Sequence, residues 1–216
     1  TNTGDVWSDG AYDGTYCKKD SISPATDITI NFRAPNEAGL TTTGTSRSYV
    51  YDSAGPTSSL ETPSATKYNA ATIPSLFSGK SKDNTNGAGL PANSVTFHIK
   101  RTNDNKYWDG DSWENSVIWL GTAHAATTGD TEITWNDNVN LPLWTEGSYN
   151  VKTKATDNLG TVIEGSEVTF VYDATPPVRS SGSPAGYIAT SSPTLSLTTN
   201  EPATCKYSKT AGQSYA

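Results

Sequence analysis

The sequence of 216 residues is poor in several residue types, and each shortage excludes a class of protein. No run of apolar residues approaches the roughly 18 that a transmembrane helix needs, so we expect no membrane span here. Two cysteines are too few for a disulfide scaffold, and their spacing fits no zinc motif. Fifteen basic against 22 acidic residues give a net charge of −7, which argues against nucleic acid as a partner because phosphate binding needs clustered Lys and Arg. Because methionine is absent, we expect the chain to be part of a longer protein.

The composition favours β-structure. Only 33% of the residues are hydrophobic and 17% are charged, and the chain is rich in Thr, Tyr and Trp, which favour strands. No segment shows helical periodicity, and short segments of alternating polarity are separated by Gly, Asn and Asp turns. Predicted strands include 57–62, 73–80, 148–156 and 166–172, and Asp109-Gly110 predicts a hairpin turn between Trp108 and Trp113. We therefore expect an all-β fold.

An internal repeat organises the chain. Residues 26–63 align without a gap on residues 147–184, at a constant offset of 121. Each copy predicts two strands around an Asn/Asp and Gly turn, followed by an Asp and Pro segment that ends the second strand. The repeat predicts three segments: the C-terminal part of one β-sandwich (1–55), a complete sandwich (56–176) and the N-terminal part of a further one (177–216).

Several stretches resemble the bacterial immunoglobulin-like (Ig-like) domains that occur in tandem in large secreted or cell-surface proteins. They are KYWDGDSW at 106–113, GSYNV at 147–151, ATDNLG at 155–160, YDATPP at 172–177 and, similar to the start of related Ig-like or fibronectin-type repeats, TNEPATCKYS at 199–208. The resemblance implies tandem Ig-like antiparallel β-sandwiches with Pro-containing linkers, located outside the cell or at its surface. The chain departs from antibody-type domains because it lacks their intersheet cysteine pair.

The two histidines offer no catalytic constellation. His98 alternates with Phe97 and Ile99 on a predicted strand, so its side chain is expected to face away from the core, and His124 falls in a loop of Gly, Ala and Thr. No nucleophile, zinc-protease or phosphate-loop motif occurs. We therefore expect that the chain is not an enzyme.

Calcium is the cofactor that the acidic loops favour, because hard cations bind oxygen ligands from Asp, Asn and backbone carbonyls. The candidate ligands are the linker residues Asp52 and Asp173, the loop residue Asp83, and the cluster Asp104, Asp109, Asp111 and Glu114. The alternative is that these residues only form turns, since Asp-Gly and Asn-Gly turns arise for backbone reasons alone. No EF-hand loop occurs.

Tryptophan and cysteine raise two further possibilities. Tyr107, Trp108 and Trp113 flank the predicted hairpin turn, where they could stack on a glycan or merely pair across the strands, while Trp119 and Trp135 are predicted core residues. Cys17 and Cys205 would be a whole domain apart in an end-to-end array, so we expect partners outside this segment or free thiols. Alternatively, segment 177–216 completes segment 1–55 of a second copy, and Cys17 then meets Cys205 in a filament.

The sequence thus predicts a non-catalytic extracellular segment: tandem Ig-like domains acting as the stalk or spacer of a bacterial surface protein or adhesin. Its expected partners are neighbouring Ig-like domains or like subunits, together with a glycan or another cell-surface ligand. One alternative is a carbohydrate-binding accessory module of a secreted hydrolase. A further alternative is a filament or surface-layer subunit that assembles by half-domain complementation.

Overall fold

A computed structural model describes residues 11–12, 17–18, 28–31, 33–35, 38–211 and 213. Every regular element in these residues is a β-strand, so the prediction of an all-β fold is confirmed. None of the described segments is a helix that could cross a membrane. The strands are β1 (Ala11–Tyr12), β2 (Cys17–Lys18), β3 (Ile28–Ile30), β4 (Arg33–Pro35), β5 (Thr41–Thr43), β6 (Arg47–Tyr49), β7 (Thr57–Thr62), β8 (Lys67–Tyr68), β9 (Ser78–Lys82), β10 (Val95–Arg101), β11 (Lys106–Trp108), β12 (Trp113–Glu114), β13 (Leu120–Ala123), β14 (Ile133–Asp137), β15 (Gly147–Thr156), β16 (Val162–Glu164), β17 (Val168–Tyr172), β18 (Arg179–Ser183) and β19 (Ser196–Thr199).

Strands β7 to β17 form a sandwich-like arrangement of two layers. One layer has the order β7-β9-β14-β13, and the other has the order β10-β15-β17-β8, extended by the β11–β12 hairpin and by β16. Strand β13 belongs to both layers, because Leu120 and Gly121 pair with β10 whereas Thr122 and Ala123 pair with β14. The pairs are antiparallel except for β8, which runs parallel to β17. The hydrogen-bonded ladder is therefore continuous from one layer to the other.

The core follows from the alternation that the sequence predicts. Along β15, Tyr149, Val151, Thr153 and Ala155 are fully buried, while the residues between them are partly exposed. Aromatic rings dominate the interior; Phe97 stacks on Trp135 at 6.0 Å, and Tyr149 stacks on Phe170 at 5.5 Å, measured between ring centroids. The core residues are Phe77, Val95, Phe97, Ile99, Trp108, Leu120, Trp135, Tyr149, Val151, Ala155, Phe170 and Tyr172.

Strand register repeats with the sequence repeat. Ile28 pairs with Tyr49 in the β3–β6 ladder as Tyr149 pairs with Phe170 in the β15–β17 ladder. The β4–β5 ladder likewise reproduces the β15–β16 ladder, with every paired position shifted by the same 121 residues. Two separate segments thus fold into the same hairpins in the same register, while the domain boundaries drawn from the sequence stay a prediction.

The segments before β7 and after β17 meet the sandwich at opposite ends. Before β7, Asp52 accepts a hydrogen bond from the Ala88 N–H (2.8 Å), and the Ala88 carbonyl accepts one from the Asn158 side chain, just beyond the C-terminal end of β15. At the other end Tyr172, the last residue of β17, pairs with Gly147, the first residue of β15. The ten residues of β15 span about 33 Å at the usual rise of a strand. The segments before β7 and after β17 therefore lie roughly that far apart.

Candidate metal centre

Three aspartates that each follow a strand meet at one end of the sandwich. Asp52 follows β6, Asp83 comes directly after β9, and Asp157 comes directly after β15. One carboxylate oxygen from each lies within 4.8 Å of the other two. The side chains of Asp83 and Asp157 are only 1% exposed, whereas Asp52 is partly exposed. We call these three residues the acid cluster. It brings the segment before β7 together with two loops of the sandwich.

The loop after β9 is folded around the carboxylate of Asp83. Its two oxygens accept hydrogen bonds from the backbone N–H groups of Asn84 (2.9 Å) and Gly89 (2.8 Å). Gly87 packs directly against this carboxylate, because an added Cβ would lie 2.5 Å from the Asp83 Cγ. Gly89 has a φ of +81°, which favours glycine. The glycines at these two positions let the chain close tightly over a buried acid.

The turn after β15 holds Asp157 with one oxygen unpaired. Its Oδ1 accepts hydrogen bonds from the N–H groups of Leu159 and Thr161, both at 2.8 Å, as an Asp at the start of such a turn commonly does. Its Oδ2 is buried and has no hydrogen-bond partner. A buried carboxylate oxygen without a donor is costly unless a cation or a proton neutralises it. Asp157 is therefore the member of the acid cluster that most requires a further partner.

Burial and repulsion act together on the acid cluster. The pKa of Asp83 is raised, chiefly because burial disfavours its charged form, and the negative charges of Asp52 and Asp157 raise it further against the two donated backbone bonds. None of the ion pairs found among the described residues involves a member of the cluster. The Asn84 Oδ1, in the same loop, is also buried and unpaired. This donor set consists of oxygens alone, which suits a hard cation such as Ca²⁺ better than Zn²⁺.

The structure brings together two of the predicted calcium ligands, Asp52 and Asp83, and adds Asp157. Sequence reasoning missed Asp157 because an Asp in such a turn is already accounted for by its hydrogen bonds to the backbone. Its counterpart in the first repeat copy, Asn36, also carries no charge that would suggest a metal ligand. The signal that could have found it is an Asp directly after a strand, at the end of the sandwich where Asp83 also follows a strand. That inference needs the strand order, which the sequence does not state. Calcium binding itself stays a prediction.

Asp173 lies directly after β17, at the end of the sandwich away from the acid cluster. Its Oδ1 accepts a hydrogen bond from the Thr175 N–H (3.2 Å), and it lines a cleft together with Asn69 and Glu201. Glu146 holds the same segment by accepting bonds from the Ala174 N–H and the Thr175 hydroxyl. Asp173 is thus placed where the chain leaves the middle sandwich.

The remaining predicted ligands, Asp104, Asp109, Asp111 and Glu114, lie around the β11–β12 hairpin, and the carboxylates of Asp104, Asp109 and Glu114 hold contacts there. Asp104 pairs with Arg101 (2.6 Å), whose side-chain hydrogen bond lowers the pKa of Asp104. Asp109 accepts bonds from the Ser112 and Asp111 N–H groups, which lower its pKa. Glu114 accepts a bond from the Ser112 hydroxyl. These contacts stabilise the turn. Among the described residues, the only group of carboxylates close enough to share a metal ion is the acid cluster at the opposite end of the sandwich.

The three aromatic residues predicted as a glycan platform do not share one open surface. Trp108 is 8% exposed, belongs to the core, and donates its indole N–H to the Asn140 carbonyl (2.6 Å). Trp113 pairs with Trp108 across the hairpin and has the Arg101 guanidinium 4.4 Å from its ring centroid. Tyr107 packs against His98 on the opposite side of the strand. Glycan binding by this trio stays a prediction.

Both histidines lie in the sandwich, one in a loop and one on a strand. His124 accepts a hydrogen bond from the Val95 N–H through Nε2 (3.1 Å) and holds its loop. His98 faces away from the core, as alternation predicts, yet it is only 7% exposed. Cys205 is exposed and forms no disulfide with any side chain that the structure describes. The side chain of Cys17 lies outside the described residues, so the pairing of the two cysteines stays a prediction.

The comparisons with known proteins add no relative: no family model matches the chain, and no curated protein matches it.

Proposed function

We propose that the chain is a non-catalytic structural segment of a bacterial surface protein, in which tandem Ig-like β-sandwiches act as a stalk or spacer. The observation that carries the proposal is the position of the two linkers. One linker reaches the middle sandwich beside the C-terminal end of β15 and the other leaves beside its N-terminal end, so the unit adds its length to the chain instead of folding back. The repeated hairpin register supports a tandem arrangement of like units.

The acid cluster supports a calcium-stiffened linker within this role. Asp52 belongs to the linker, while Asp83 and Asp157 belong to the sandwich. A cation bound by all three would fix the angle at which the linker enters, because carboxylates from both parts would share one ion. A spacer gains from this, since a hinged linker would let the array collapse.

The filament alternative, a subunit that assembles by half-domain complementation, stays a prediction.

Small-angle X-ray scattering of the full chain, with its mass measured by light scattering, tests the proposal. We expect a monomer that is elongated in Ca²⁺ and that has a shorter or broader distance distribution in a chelator. Asp157→Asn should behave in Ca²⁺ as the wild type does in chelator. Asp111→Asn is the matched control, because it removes the same charge at the opposite end of the sandwich. A compact or concentration-dependent polymeric particle in both conditions would contradict the spacer role, and an equal response of the two variants would contradict the calcium linker alone.

A further inference from the structure

His98 lies on the outer face of the layer β10-β15-β17-β8, where aromatic side chains cover it. His98 pairs with Lys152 on β15, and the residue before β13, Trp119, is its neighbour on the other side, since Phe97 pairs with Leu120. The Trp119 ring centroid lies 4.7 Å from that of His98, and the Tyr107 ring centroid lies 5.3 Å from it, edge on. Two aromatic rings thus cover an imidazole on a face that alternation turns toward solvent.

Two polar atoms under these rings have no partner. The His98 Nδ1 and the Thr96 Oγ1 are both buried without a hydrogen bond, on neighbouring outward positions of β10. His98 is more than nine-tenths buried. Native proteins rarely leave such atoms unpaired, so each of the two requires an explanation. These two unpaired atoms are an observation separate from the lysine charges that surround them.

Three lysines concentrate positive charge around His98. Lys152 lies opposite it and pairs with Glu164 (2.5 Å), whereas Lys100 and Lys154 are in no ion pair found within the described chain. The Lys154 Nζ instead lies 4.1 Å from the Trp119 ring centroid, and the Lys100 Nζ lies 5.9 Å from that of Tyr107. Two ammonium groups are therefore held directly above aromatic surfaces, in a protein whose net charge is −7.

We propose that this surface, the basic aromatic face formed by Thr96, His98, Lys100, Tyr107, Trp119 and Lys154, binds an acidic polysaccharide. The rings and the lysine stems offer apolar surface to the sugar rings, and the two ammonium groups bind the carboxylate or sulfate groups. This platform differs from the predicted trio, with which it shares only Tyr107, and it does not depend on the acid cluster or on the spacer role.

An acidic polysaccharide fits better than a single-stranded nucleic acid. Glu164 and Glu167 border the same face on the β15 side, and Glu167 already accepts a hydrogen bond from Asn150 (2.7 Å). Their carboxylates can accept hydrogen bonds from sugar hydroxyls, which the backbone of a DNA strand lacks.

Calorimetric titration of the full chain with polygalacturonate, heparin, dextran and poly(dT) at low and moderate salt tests the proposal. We expect binding of polygalacturonate or heparin that weakens with salt, and no binding of dextran. The double variant K100Q/K154Q should lose at least about tenfold in affinity, since it removes the two available cations. Lys82→Gln, which removes an exposed charge on β9, should bind as the wild type does. The two acidic polymers distinguish a carboxylate from a sulfate preference.

Three results would overturn the proposal: binding of neither acidic polymer, unchanged affinity in the double variant, or a preference for poly(dT). Because both substituted lysines are partly exposed, the variant is expected to fold, and an unchanged melting temperature would show it. Trp119→Phe provides a second measure, as it keeps an aromatic cover over His98 but reduces the stacking area. Its affinity should fall while its melting temperature stays close to that of the wild type.

Discussion

Asp157→Asn should separate the turn role of this residue from its role in cation binding. The asparagine Oδ1 can still accept the two bonds from Leu159 and Thr161, so the turn is preserved. The change replaces the unpaired buried Oδ2 with an amide and removes one of three charges that lie within 4.8 Å of one another. We therefore expect the variant to fold, to be no less stable than the wild type in chelator, and to lose its response to Ca²⁺.

The size of the effect follows from electrostatics and mass action. Two unit charges at the cluster's limiting separation of 4.8 Å repel by about 3.5 kcal/mol at an effective dielectric constant of 20, and by about 0.9 kcal/mol in bulk water. Because Asp52 is partly exposed, we expect a gain nearer the lower figure, about 1–2 kcal/mol for the metal-free variant. Ca²⁺ at a hundredfold excess over its dissociation constant would stabilise the wild type by about 2.7 kcal/mol. For a unit of this size that corresponds to about 10 °C in melting temperature.

The assay is thermal unfolding followed by tryptophan fluorescence, in chelator and across a series of Ca²⁺ concentrations. The wild-type midpoint should rise with Ca²⁺, that of Asp157→Asn should not, and that of Asp111→Asn should rise as in the wild type. Mg²⁺ serves as a second ion, which we expect to bind more weakly because it demands a tighter octahedral geometry. Cation binding by the acid cluster would be refuted if the wild-type unfolding midpoint did not change with Ca²⁺, or if the midpoint of Asp157→Asn rose as much as that of the wild type.

The remaining predictions concern pH and packing. The pKa of His98 is lowered to about 4, mainly by burial and then by nearby lysines, so the unfolded chain takes up the proton first. Stability should fall between pH 6.5 and about 4, by at most about 3 kcal/mol, and denaturant titrations of His98→Gln should show less of this fall. Because the pKa of Asp83 is raised, protons compete with the cation, and calorimetry should show Ca²⁺ affinity decreasing as the pH falls through that raised value. Tyr149→Phe removes the bond that the hydroxyl donates to the Thr145 carbonyl (2.8 Å) and should cost about 1 kcal/mol of unfolding free energy in urea. Trp108→Ala should cost about 3–5 kcal/mol in the same assay, and any loss of glycan binding with unchanged stability would contradict its placement in the core.

Local patterns in the sequence predict much of the fold. Strand 57–62 is observed at its predicted bounds, and the Asp109-Gly110 turn connects Trp108 and Trp113 as directly paired residues. These features depend on residues close together in sequence. The predicted strand at 73–80 is wrong in its first part, because the Ile73 N–H donates to the Asn69 carbonyl (2.9 Å) in a turn and the strand begins only at Ser78.

The features that the sequence did not predict depend on contacts between residues far apart in the chain. Trp135 is buried as predicted, but Trp119 is not a core residue; it lies on the outer face and covers His98. Alternation correctly gives the direction of His98 but not its burial, which depends on a ring twenty-one residues away. The acid cluster unites residues from three different loops, so its third member, Asp157, becomes visible only when the ladder is known.

The opposite positions of the segments before β7 and after β17 also determine how the middle unit carries a mechanical load. Tension along the chain would pull β7 from the end beside Asp83 and β17 from the far end, so each strand would slide lengthwise against its neighbour. In that direction all five paired positions of β7 with β9, and all five of β17 with β15, share the force at once instead of opening one after another. A cation held by Asp52 would transfer part of the same load directly to the loops after β9 and β15, and so relieve the first pairs of β7.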